Sequence, residues 1–196
     1  MQDLNMKPLK RVLILTASPR NNGNSTILAL KATEGVNAAG GEADVVPIGK
    51  LKIAPCNACD ACRTKPEAGC VIKDDMQPLY QKIEDAQGVI FATPVYWFNV
   101  SAQMKLFLDR TYAVHDEGRY ALTGKDIGVI LTYEDEDVFV SGGINALRSF
   151  QDICAYVKAD LVGMVYGSAG KAGDVQANGN LLQKAYDLGR KIATPK

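Results

Sequence analysis

The chain reads as a doubly wound α/β fold, with a five-stranded parallel sheet in the order 2-1-3-4-5 and helices on both faces. Three observations predict it. Short apolar runs alternate with amphipathic helical stretches from residue 11 to the last residues of the chain. One of these runs, Gly88-Val-Ile-Phe-Ala-Thr93, is apolar almost throughout, which suits a strand covered on both faces. No repeat, low-complexity tract or linker interrupts the alternation, so residues 1–196 are expected to form a single domain.

Taken in order, strand one is Arg11–Thr16, and the first helix begins near Ser25 with Ile27, Leu28, Ala32 and Val36 on one side. Gly40-Gly41 ends that helix, and Ala43–Pro47 is strand two. Residues 54–73 show no usable periodicity and form a cysteine-rich insertion. The second helix starts at about Asp75, placing Met76, Leu79, Ile83 and Ala86 together, with Pro78 early enough to sit in its first turn. Strand three, Gly88–Thr93, runs through the loop Thr93–Ser101 into a helix carrying Met104, Phe107 and Leu108. Gly128–Thr132 is strand four, and a helix from about Gly142 is expected to bury Ile144, Leu147, Cys154 and Val157. Leu161–Tyr166 is strand five, and the last helix, about Ala177–Thr194, presents Leu181, Leu182, Ala185, Leu188 and Ile192.

Composition narrows the function classes. A 47% hydrophobic content in 196 residues is enough for a full core. Lys+Arg and Asp+Glu are 22 each, so nothing in the charge invites nucleic acid or an acidic membrane surface. The first ten residues hold no apolar signal core and no run could span a bilayer, so the expected location is cytoplasmic.

Thr16–Thr26, T-A-S-P-R-N-N-G-N-S-T, joins strand one to the first helix through turn formers and hydroxyls. Gly23 lets the backbone come close, and a helix start offers free N–H groups and a positive dipole end, so an anion is the natural guest. Neither G-x-x-x-x-G-K-[ST] nor G-x-G-x-x-G is present. On spacing alone two readings stand, a phosphate site or an ordinary loop whose Ser or Asn caps the helix. The predicted topology brings the loops after strands one, three and four to one sheet edge near the switch point, where α/β folds bind ligands. The loop after strand three, Pro94-Val95-Tyr96-Trp97-Phe98-Asn99, is either an apolar seat for a flat ring or a set of packing aromatics.

S-P-R-N-N-G-N-S-T, the stretch T-P-V-Y-W-F-N-V-S-A-Q-M-K-L-F-L-D-R and C-V-I-K-D-D-M at 70–76 resemble the NADPH-dependent FMN reductase and iron-sulfur flavoprotein families, which share the flavodoxin-like fold. The resemblance covers most of residues 11–110 and is one of pattern beyond. It implies FMN held by Ser18, Arg20, Asn24, Ser25 and Thr26 at the phosphate and by Pro94, Val95, Tyr96, Trp97, Phe98 and Asn99 at the ring. It further implies a homodimer or homotetramer with each flavin near a subunit interface. Hydride transfer requires no acid or base, so no catalytic residue is named. The missing dinucleotide fingerprint fits NAD(P)H as a transient donor and leaves NADH and NADPH undistinguished.

Cys56, Cys59, Cys62 and Cys70 form a C-x2-C-x2-C-x7-C set. Disulfides do not suit a cytoplasmic chain, and four unligated thiols this close together are prone to oxidation. Three cysteines at this spacing can wrap three irons of a cubane with the fourth ligand from Cys70, whereas zinc more often uses two separated C-x2-C pairs. The spacing favours [4Fe-4S] over zinc, and it resembles the compact motif of the iron-sulfur flavoproteins. His115 reads as a surface-loop residue, Glu134–Asp137 as a hydrated acidic run and Cys154 as core. Three function classes remain. The first is an FMN-dependent NAD(P)H oxidoreductase passing electrons to a quinone, flavin, nitro or azo compound or metal ion. The others are an iron-sulfur flavoprotein exchanging single electrons with a ferredoxin-like partner, and a non-enzymatic FMN-binding or zinc-stabilised module.

Overall fold

The computed structural model describes residues 9–116 and 118–194; the N-terminal stretch read above as lacking a signal core lies largely outside them. The elements are β1 (Arg11–Thr16), α1 (Asn24–Ala38), β2 (Glu42–Val46), the one-turn α2 (Ala61–Thr64), α3 (Gln77–Asp85), β3 (Gly88–Tyr96), β4 (Asn99–Val100) and α4 (Ala102–Arg110). They continue with β5 (His115–Asp116), β6 (Arg119–Tyr120), β7 (Asp126–Tyr133), α5 (Gly143–Val157), β8 (Asp160–Ser168) and α6 (Gly179–Ala193). The parallel strands run in the order β2-β1-β3-β7-β8, the expected flavodoxin-like order. A short antiparallel strand, β4, extends β3 as a sixth member of the sheet.

Alternation along the strands divides the core in two. Leu13, Leu15, Val89, Phe91, Val129 and Leu131 point to one face, where α3, α4 and α5 cover them, and Phe91 meets the Phe150 ring at 5.2 Å. Val12, Ile14, Ile90, Ala92, Ile130 and Val165 point to the other, under α1 and α6. Those two helices cross almost backbone to backbone. A Cβ on Gly35 would lie 2.0 Å from the Tyr186 carbonyl oxygen, and one on Gly189 would lie 1.9 Å from that of Ala32. Only glycine fits at such an approach.

Several expectations shift. Ile144 is 37% exposed rather than inward, because the first turn of α5 sits at the carboxyl edge of the sheet; Ala146, Leu147, Phe150 and Cys154 form the buried stripe. His115 does not lie in a plain loop, since β5 and β6 pair there and its ring packs edge-on against Tyr120. Cys154 is core, as expected, and burial pushes its thiol up to about 11. Glu134–Asp137 is exposed, with Asp137 accepting from the Phe139 and Val140 amides. No helix among the described residues is long and apolar enough to cross a membrane.

Candidate functional site

The loop between β1 and α1 leaves the Ser25 hydroxyl and the first amides of the helix without a side-chain partner among the described residues. Gly23 caps α1 with φ −59° and ψ 138° but brings no side chain, so no side-chain cap takes the first amides of the helix. A Cβ at Gly23 would lie 2.2 Å from Ser18 Oγ, which shows how closely the backbone folds over that hydroxyl. Ser25 is fully buried, and its Oγ has no hydrogen-bond partner among the described residues. Leaving a buried hydroxyl unpaired costs about 1–3 kcal/mol. A phosphate dianion at the helix start would satisfy both the hydroxyl and the amides. Ser25→Ala should therefore leave apo-protein stability unchanged or raised while weakening FMN binding by about tenfold. Paired melting curves and flavin-fluorescence titrations give the two signs separately.

The other predicted phosphate residues take different places. Asn24 Nδ2 donates to Ala169 O (2.9 Å) and Lys171 O (2.8 Å), while its Oδ1 accepts from the Gly173 and Val175 amides. Its side chain is thus committed to the segment after β8, and only its backbone amide is left for an anion. Arg20 is exposed, with Nη1 2.9 Å from Gly170 O, and Thr26 is half-buried. Lys50 closes the opposite side, 2.6 Å from Pro19 O and 3.0 Å from Asn21 Oδ1. Sequence reasoning missed both Lys50 and the 169–175 wall. The glycines of that wall, at the carboxyl end of the last strand, were the available signal.

The second loop lies beside the first because Thr16 registers with Ala92, and Pro94 with Thr132. Ser101 joins them: it caps α4 by accepting from Met104 N, accepts from Thr93 Oγ1 at 3.3 Å and donates to Ala17 O at 3.4 Å. β3 continues to Tyr96, reverses through Trp97 and Phe98, and returns as β4, with Tyr96 facing Asn99 across the turn. Both turn residues have positive φ, +48° and +65°, in a two-residue hairpin turn where Asn-Gly is the usual choice. Bulky residues in this region are strained and need outside support. Asn145 Nδ2 holds Phe98 O at 3.1 Å, but Trp97 is 92% exposed. Pro94, Val95 and Tyr96 are half-buried and Asn99 is exposed.

The four candidate metal-ligating cysteines are all unpaired thiols, and all line one small cavity together with Arg110. Cys56 and Cys59 are exposed; Cys62 and Cys70 are half-buried. Burial raises the Cys62 thiol. Burial also pushes Cys70 up, but the neighbouring Tyr80 hydroxyl, the Ile72 amide and the Arg110 guanidinium outweigh it and hold this thiol below its usual value. No three His, Cys, Asp or Glu side chains among the described residues gather tightly enough for one metal ion. The donor set nevertheless suits iron, and a cubane binds each thiolate at a different iron, so it accepts a wider set than zinc with four sulfurs about 2.3 Å from one centre. A groove of about 950 Å³ runs from Asn99 and Val100 past Leu108 and Phe150 to Cys56 and Asp60, linking the ring loop to the cysteine segment.

Residues 10–174 match the family model described as NADPH-dependent FMN reductase. The chain belongs to the NADPH-dependent FMN reductase family. As a member it is an FMN-dependent oxidoreductase. This reductase-family chain is 35% identical to an "Iron-sulfur flavoprotein" of Archaeoglobus fulgidus over 94% of its own length and 79% of the relative's. It is 38% identical to an "Iron-sulfur flavoprotein" of Methanosarcina thermophila over 60% of each chain. A putative NAD(P)H-dependent FMN-containing oxidoreductase of Bacillus subtilis is 25% identical over 91% of this chain and 96% of the relative. An NAD(P)H:quinone oxidoreductase structure from Methanothermobacter marburgensis superposes with a TM-score of 0.72 at 20% identity, covering 96% of this chain and 99% of that one, which shows the shared fold.

Proposed function

We propose that the whole chain acts as one flavin-binding unit that oxidises NADH or NADPH and passes the electrons to a small flat acceptor such as a quinone, flavin, nitro or azo compound, or to a metal ion. The observation that carries this reading is the anion cradle at α1 lying beside the strained Trp97-Phe98 turn on one sheet edge. FMN, when bound, supplies the redox chemistry, accepting hydride and releasing electrons singly or in pairs. The chain's part is binding and orientation. The α1 amides with Ser18 and Ser25 hold the phosphate, Arg20 stands at the rim, and residues 94–99 seat the ring and leave its outer face open to a nicotinamide. Stopped-flow mixing of the FMN-loaded protein with NADH and NADPH tests the proposal. Single-step bleaching by at least one nicotinamide is expected; bleaching by neither, with reduction by a reduced ferredoxin, overturns the hydride step.

A second reading is favoured by the four thiols on one cavity: an iron-sulfur flavoprotein whose Cys56, Cys59, Cys62 and Cys70 hold a [4Fe-4S] cluster and exchange single electrons with a ferredoxin-like partner. Iron and acid-labile sulfide analysis of protein purified without oxygen decides it. Subunit assembly as a homodimer or homotetramer is part of the same proposal. It is supported by the exposed Trp97, Phe98, Phe139 and Val140 around the ring loop, more apolar surface than a solvated turn needs. A monomer in sedimentation at micromolar concentration overturns it. A cytoplasmic location, with no nucleic acid or membrane as partner, completes the proposal.

A further inference from the structure

We infer that Arg110 is a positioning residue for an anionic four-thiolate centre, holding the cysteine segment shut at both ends while presenting its cation to the cavity lined by Cys56, Cys59, Cys62 and Cys70. The inference rests on the iron-sulfur reading above.

Arg110 closes α4 and is only 1% exposed, an unusual place for a guanidinium that remains charged at any ordinary pH. Its Nη1 reaches Asp74 Oδ2 at 2.7 Å and Ala54 O at 2.9 Å; its Nη2 reaches Asp74 Oδ1 at 3.2 Å and Ile72 O at 3.4 Å. Ala54 lies just before Cys56 and Ile72 just after Cys70, so one side chain gathers both ends of the segment. Asp74 repeats the clasp by accepting from the Ala54 amide at 2.8 Å. One donor remains, because Arg110 Nε is buried with no partner among the described residues. The Tyr80 hydroxyl is buried beside Cys70 and Arg110 and acts on both.

A buried salt bridge alone explains Asp74. It does not explain why the cation also lines the cavity of the four thiols with an N–H to spare. Four cysteinates bring four negative charges, and even after iron and sulfide are counted a tetrathiolate cubane is a net anion. Such a group in a partly buried cavity is stabilised by nearby positive charge and N–H donors, which also raise its reduction potential. Asp60 and Asp109 line this cavity as well, Asp109 paired with Lys105 at 2.6 Å, and Arg110 is the one cationic residue among the described residues that line it.

Three variants test the inference: Arg110→Lys, Arg110→Gln, and Arg110→Gln combined with Asp74→Asn. In each, FMN, iron and acid-labile sulfide per chain are measured after anaerobic purification, with the midpoint potential of the iron signal followed by electron paramagnetic resonance. The expected result is parental FMN content throughout. Arg110→Gln, which leaves the Asp74 anion unopposed, is expected to lose iron or to be reduced at a clearly lower potential. Arg110→Lys should lie between it and the parent, and the double variant, which removes the Asp74 anion together with the cation, should recover stability but not the parental iron content or potential; full recovery of both would reduce Arg110 to the partner of Asp74 and overturn the inference. Parental iron, sulfide and potential in Arg110→Gln overturn the inference. Loss of FMN and iron together in all three variants also overturns it, by reducing Arg110 to a keystone of the fold. A parent protein without iron and sulfide removes the iron-sulfur reading itself, an outcome distinct from the others.

Discussion

Replacing Asp74 with alanine should lower stability by about 3–5 kcal/mol, because the Arg110 guanidinium left behind is buried and cannot shed its charge. In a chain of this length that is a fall in melting temperature on the order of 10 °C. The paired side chains are 1% and 12% exposed, so solvent screens the interaction little. Burial alone would raise the Asp74 carboxyl, but the Arg110 hydrogen bonds and the Ala54 and Met76 amides outweigh it and hold the group below the ordinary value of 3.8. A depressed folded value means that the unfolded chain binds the proton first. The contribution is therefore complete above the ordinary carboxylate value and fades as pH falls below about 4, toward the lower folded value. Urea melts from pH 7 to pH 3 should show this fading in the parent and not in Asp74→Ala. Equal stability of the two proteins at pH 7 would contradict the account.

The double substitution Trp97→Asn with Phe98→Gly should stabilise the apo-protein by about 1–3 kcal/mol and weaken its hold on FMN by at least tenfold. The gain comes from two bulky residues with positive φ, each strained by about 1–2 kcal/mol, exchanged for the pair that a two-residue hairpin turn favours. Part of that gain is offset by loss of the Phe98 contacts beside Gly142, so the net falls below the sum. The loss of FMN binding follows from the proposed seating of the ring on these aromatics. Urea denaturation and flavin titration should move in opposite directions. A destabilised variant would mean that the aromatics support the fold, and unchanged FMN affinity would mean that they do not touch the ring.

The parts of the fold legible in the sequence are those written in local periodicity. β1 begins and ends where its apolar run does, and α1 follows the stripe of Leu28, Ala32 and Val36. The loop joining β1 to α1 was legible for the same reason, being short and continuous in the chain. α3 starts at Gln77, two residues later than expected, because Asp74 and Asp75 turn their carboxylates to the Ala54 and Lys52 amides across the cysteine segment. The β3–β4 hairpin was hidden because Trp-Phe carries no turn signal and its geometry is supported from α5. The role of Arg110 was not legible, since nothing in its own neighbourhood announces a carboxylate 36 residues away. The face of Ile144 was misjudged because periodicity gives direction around a helix and not where the sheet beneath it stops.

The Asn24 side chain has a consequence for biosynthesis. Its four hydrogen bonds all go to residues 169–175, which lie 145 to 151 positions further along the chain. A ribosome adds about 5–20 residues each second, so the loop waits on the order of ten seconds for the wall that fixes its shape. Through that interval the nascent chain lacks both this wall and α6, the helix on which α1 packs backbone to backbone. If the proposed flavin site is right, loading waits for residue 175 to be made, and a ribosome stalled before it should display a chain that flavin does not stain.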